Sequence, residues 1–121
     1  MISKELLSEV LGIPLGEITK IDNDSNKGYK YIVVYHTELN PKKYMCPYHV
    51  ESINIHELAF KCKEWLMGKV SNCCSGFDNG GRWFCYIEDK VNIDRFYADT
   101  EPEAIFRVCQ YILENQNEKS K

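Results

Sequence analysis

The stretch from Ile53 to Gly68 limits what this chain can fold into more than any other. Asn54 followed three residues later by Glu57 is a capping box, and Ile53 with Leu58 has the spacing of a hydrophobic staple, so a helix is set to begin there. Ile55, Leu58, Ala59, Cys62, Trp65 and Leu66 then recur on one helical face, while Glu57, Lys61, Lys63 and Glu64 lie outside or flank it. Gly68 ends the element. A stripe of this width has to be covered by the rest of the chain.

A second capped helix follows near the end. Thr100 pairs with Glu103, Pro102 falls in the tolerant first turn, and Ile105, Val108, Cys109 and Ile112 form the stripe, with Phe106 and Leu113 alongside. Near the start, Ser3 caps a shorter helix carrying Leu6, Leu7, Val10 and Leu11, which Gly12 and Pro14 close. Residues from Asn115 onward are polar, and 117–121 are expected to fray.

The segments between these helices have strand character. Tyr29, Tyr31, Val33 and Tyr35 alternate with Lys30, Ile32, Val34 and His36, and the polar run Asn23 to Gly28 joins this strand to weak alternation over Leu15 to Asp22. A further short strand is expected within 44–53. After the central helix, Val70 to Cys74, Arg82 to Ile87 and Val91 to Ala98 read as strands, the first two joined by the glycine-rich turn Gly76 to Gly81. Short connections favour antiparallel pairing. The expectation is an α+β fold, order α-β-β-(β)-α-β-β-β-α, with a mainly antiparallel sheet, about three helices packed on it, and residues 1–116 as one domain.

Charge narrows the function classes. A net charge of −3 and a single adjacent basic pair, Lys42 and Lys43, argue against a nucleic-acid partner, which needs clustered Lys and Arg to neutralise phosphates. No apolar run approaches the ~18 residues that cross a bilayer, so no membrane partner is expected. The first residues carry no secretory pattern, and a cytoplasmic, reducing location is expected. Under that expectation the six cysteines, Cys46, Cys62, Cys73, Cys74, Cys85 and Cys109, are not the disulfide framework that the same count would suggest in a secreted chain, and Cys46, Cys73 and Cys74 are left open to metal or redox chemistry.

The motifs Ile53-Asn54-Ile55-His56-Glu57-Leu58-Ala59, Cys62-Lys63-Glu64-Trp65 and Ala98-Asp99-Thr100-Glu101-Pro102-Glu103-Ala104-Ile105-Phe106 resemble those of small bacterial and phage-borne proteins of the phage α-β-α sandwich domain group. The resemblance covers residues 53–116. It implies an accessory gene of phage or prophage character whose product binds a host or phage protein, and it brings no catalytic motif to carry over.

Several residues invite chemistry. Cys46-Pro47-Tyr48-His49 places two zinc-type ligands on one loop, with His36, Cys73, Cys74 or Cys85 as candidates to complete a structural site; a second paired half-site is missing from the sequence. Cys62, Cys85 and Cys109 fall on apolar faces, where a free cysteine serves as a small hydrophobe. Cys73 and Cys74 point to opposite sides of an extended strand. No cysteine or histidine sits in a nucleophile–base context, so no enzyme activity and no cofactor are expected. Gly76 to Gly81 precedes a strand, which fits a hairpin turn better than a phosphate loop.

Tyr29, Tyr31, Tyr35, Tyr44 and Tyr48, with Trp83, Phe84 and Tyr86, exceed what one small core needs. Tyr29, Tyr31 and Tyr35 are the candidate interface, because tyrosine joins a large apolar area to a polar tip; the first helix covering that face is the competing account. The expected function is a non-enzymatic protein-binding accessory factor of phage or mobile-element type, with self-association as one form of partner. The alternatives are a structural-zinc module around Cys46 and His49, and a small-ligand or nucleotide-binding protein.

Overall fold

A computed structural model describes residues 2–22, 31–38, 48–88 and 93–119. The elements in chain order are α1 (Lys4–Leu11), a 3-10 turn (Leu15–Glu17), β1 (Ile18–Asp22), β2 (Ile32–Glu38), β3 (Tyr48–Asn54), α2 (Ile55–Met67), β4 (Asn72–Phe77), β5 (Trp83–Glu88), β6 (Ile93–Ala98) and α3 (Glu101–Lys119). The class is α+β as expected. Its antiparallel pairing is divided between two three-stranded sheets, β1-β2-β3 and β4-β5-β6. The chain forms two compact units, Ser3–Leu58 and Met1–Ile2 with Ala59–Lys121.

In the first unit, Ser3 Oγ accepts from Leu6 N at 3.1 Å, and Gly12 closes α1 in the left-handed conformation that its missing Cβ permits. Leu6 and Leu7, on the inner side of α1, are buried, as are Ile18 of β1 and Val33 and Thr37 of β2. Val33 pairs with Ile53 and Tyr35 with Glu51, so the buried side of the sheet runs through the odd-numbered positions of β2. Asn54 then starts α2: its Oδ1 accepts from the backbone N–H of His56 at 2.8 Å and of Glu57 at 3.4 Å.

The second unit is built on the β4-β5-β6 meander, with α3 packed on all three strands. Ala104, Ile105, Val108, Cys109 and Leu113 are the buried stripe of α3, and Ala59, Cys62 and Leu66 that of α2. Cys85, Ile87 and Ala98 complete this core from the sheet. The cap at Thr100 forms as the spacing predicts, with Thr100 Oγ1 accepting from Glu103 N at 3.4 Å. The helix departs from the sequence reading at its far end: it continues to Lys119, beyond the last residue of the apolar stripe. Backbone hydrogen bonding propagates through a polar segment at little cost once the helix is nucleated and docked.

Candidate functional site

The strand register of the second sheet sorts its side chains onto two faces. Cys73, Ser75 and Phe77 stand beside Ile87, Cys85 and Trp83, which stand beside Asp94, Phe96 and Ala98. This is the side that holds the buried Cys85, Ile87 and Ala98 and that α3 covers. The opposite side is a three-by-three array: Asn72, Glu88 and Ile93 in one row, Cys74, Tyr86 and Arg95 in the next, and Gly76, Phe84 and Tyr97 in the third. None of these nine is fully buried, and Asn72, Cys74, Ile93 and Arg95 are exposed.

Local chemistry organises this open face. Phe84 lies over Gly76, where a Cβ would come within 3.2 Å of the ring; glycine here lets the ring lie down on the sheet. The Arg95 guanidinium sits 4.8 Å from the Phe84 ring centre and that of Arg82, in the turn before β5, 5.1 Å from the Tyr97 ring centre. Phe84 and Tyr97 are themselves cross-strand partners, so two cations flank one aromatic pair. The Tyr86 hydroxyl accepts from Asn72 Nδ2 at 3.2 Å. The turn is fixed by Asp78, whose Oδ1 accepts from Gly80 N and Arg82 N, both at 3.0 Å.

The other sequence candidates are dispersed. Tyr29 and Cys46 lie outside the described residues. Tyr31 is 67% exposed, just before β2. Tyr35 is half-buried and shares its side of the sheet with the buried Val33 and Thr37; burial, with the Glu51 carboxylate beside it, pushes its phenol above the usual range. His49 is exposed on β3 and pairs with Glu51. Among the described residues no group of three or more His, Cys, Asp or Glu side chains is placed to hold a metal ion.

The described cysteines are free, and they divide by face. Cys62, Cys85 and Cys109 are buried, with Cys109 Sγ 3.7 Å from the Cys62 carbonyl oxygen. Burial pushes the Cys85 thiol up to about 12; for Cys109, the Cys62 side chain and burial act in the same upward direction. Thiols held protonated in this way are poor nucleophiles, as core packing requires. Cys74, one residue from the half-buried Cys73, is exposed on the array.

The sequence reading put Phe84 and Tyr86 in the aromatic surplus but did not connect them with Arg82, Arg95 and Tyr97. The signal was present in the parity of β5. With Cys85 and Ile87 assigned inward, Phe84 and Tyr86 must point outward, and the antiparallel register brings every second residue of β6 beside them.

Among the described residues no helix is long and apolar enough to cross a membrane. No family model, curated protein or solved structure matches this chain.

Proposed function

We propose that this chain is a non-enzymatic protein-binding module that works through the open face of the β4-β5-β6 sheet. The observation that carries the reading is the array itself. Phe84, Tyr86 and Tyr97 stand together on the side of the sheet away from α3, with Arg82 and Arg95 against two of the three rings. Aromatic and arginine side chains are enriched among the groups that dominate the energetics of protein interfaces: the rings bury large areas with few rotatable bonds, and the guanidinium adds a planar, multiply donating fork. The accessory role of phage or mobile-element type that the family resemblance implies is part of this proposal.

The test is a photo-crosslinking residue, p-benzoylphenylalanine, placed at position 86 of the full chain and, separately, at position 31. The proposal expects protease-sensitive, nuclease-resistant adducts at position 86 that disappear when Phe84→Ala and Tyr97→Ala are added. Adducts that form equally at position 31, that survive the double substitution, or that nuclease removes would overturn it.

A further inference from the structure

We infer that the partner presents a short acidic segment, whose carboxylates are received by Arg82 and Arg95. The inference rests on the proposed binding role of the open sheet face and adds the chemistry of what docks there.

The arginines of this unit are used in different ways. Arg107 is committed within the fold: its Nη1 donates to the Tyr97 carbonyl at 2.5 Å and its Nη2 pairs with Glu103 at 3.3 Å. Arg82 and Arg95 have no carboxylate within ion-pairing distance among the described residues. Arg95 makes one long side-chain contact, to the Tyr97 hydroxyl at 3.5 Å, and otherwise rests on Phe84. The nearby carboxylates are in other places. Asp78, whose charge reaches Arg95, is taken up by backbone N–H groups of the turn, and Glu88 stands in the row next to that of Arg95, diagonal to it but outside ion-pairing distance.

A guanidinium against an aromatic ring has its apolar surface occupied while its N–H edges remain free to donate. Those edges form the planar fork that matches a carboxylate in a bidentate pair. Two such forks beside one pair of rings make a surface with apolar centre and cationic margins. A complementary partner carries carboxylates flanking an apolar side chain.

Size decides between a segment and a second copy of this chain. Three strands about 4.8 Å apart and six residues long, at about 3.3 Å per residue, give a face on the order of 300 Å². A stable interface of ordinary size takes about 800 Å² from each partner, so this face alone is too small to hold two copies together. It matches an extended segment of about six residues. Nucleic acid would need cations spaced along a phosphate chain, and the array offers two within a chain of net charge −3.

The experiment is fluorescence polarisation of the full chain with a pool of labelled hexapeptides bearing two Asp or Glu residues around a central Leu or Tyr. The same peptides with Asn and Gln, and a labelled hexathymidylate, serve as comparators. Binding of the acidic pool is expected, weakened about tenfold by Arg82→Gln or Arg95→Gln, as loss of one charge-assisted pair implies. Arg107→Gln, checked for folding by near-UV circular dichroism, is expected to leave it unchanged. Arg95→Lys keeps the charge but loses the planar fork and is expected to bind at an intermediate level. Equal binding of the amide peptides, indifference to both Arg82→Gln and Arg95→Gln, or preference for hexathymidylate overturns the acidic-segment inference. If protein adducts still form at position 86 in that event, the binding role of the face stands and the partner's chemistry is different; if they fail as well, both fall.

Discussion

Tyr35 and Tyr86 occupy equivalent places in the two sheets, each near the middle of the central strand of three antiparallel strands. They differ in parity with respect to the buried residues of their own strands. Tyr35 is two residues from Val33 and two from Thr37, both buried, and so shares their side. Tyr86 lies between Cys85 and Ile87, both buried, and so faces away from them. A tyrosine is compatible with either place, because its ring can pack and its hydroxyl can reach water. What an aromatic residue does in a sheet is therefore set by its neighbours at odd and even spacing, and the count of aromatics in a strand says nothing of it. The aromatic array of the second sheet arises where buried cysteine and isoleucine alternate with the rings.

The sharpest way to break this comparison is to damage the covered side of the second sheet. Ile105 is 1% exposed on the face of α3 that packs on the strands. Ile105→Ala should cost about 2–5 kcal/mol in urea or thermal unfolding, the range for deleting a buried aliphatic side chain and leaving a cavity. A loss below about 1 kcal/mol would mean that α3 does not form the core of this unit.

Alkaline titration separates the two sides by chemistry. The Cys85 thiol is raised from 9.0 to about 12 by burial, and Cys109 and Cys73 are raised as well. A group with a higher pKa folded than unfolded holds its proton more tightly in the fold. Its stabilisation is complete below the unfolded value, near 9, and is lost as pH climbs toward the folded one. A core thiol such as Cys85 contributes a slope of up to about 1.4 kcal/mol per pH unit in that window, and the partly exposed Cys73 adds less. Unfolding free energy should therefore fall between pH 9 and 11, and Cys85→Ala should flatten the slope while lowering stability at neutral pH. An unchanged slope would show that Cys85 ionises in the fold as readily as in the unfolded chain.

The helices were legible from sequence because their signals are local. Ser3, Asn54 and Thr100 cap as their spacing predicts, and Cys62 and Cys109 take the core positions given by the apolar stripes. The α+β class followed from the order of those elements. Pairing was less legible: six strands can form one sheet or two, and the choice depends on contacts between residues far apart in sequence, which no local pattern encodes. The end of α3 was missed because apolar periodicity reports which face of a helix is buried, whereas the helix itself extends to Lys119 without that face. The array needed one further step, the register of β5 against β6, which places Arg95 beside Tyr86 and Tyr97 beside Phe84. Arg82 lies outside any strand, and only the turn held by Asp78 brings it to the Tyr97 ring.

The smallest expected effect tests the comparison most directly. Tyr35→Ala removes a half-buried ring from the side that carries Val33 and Thr37, and should cost about 2 kcal/mol, less than a fully buried aromatic because part of the ring already meets water. Tyr86, of the same intermediate exposure as Tyr35, stands on the side away from Cys85 and Ile87; Tyr86→Ala removes its ring and one hydrogen bond to Asn72, and should cost less, about 1 kcal/mol. The two variants are matched in residue type, strand position and sheet size, so the difference between them isolates the face. If Tyr86→Ala destabilises as much as Tyr35→Ala, the ring contributes to folding as core does, and its place on an open surface loses its basis. If Tyr86→Ala leaves stability near that of the parent chain, its ring contributes little to the fold, and its loss from binding can then be measured in a protein that is otherwise intact.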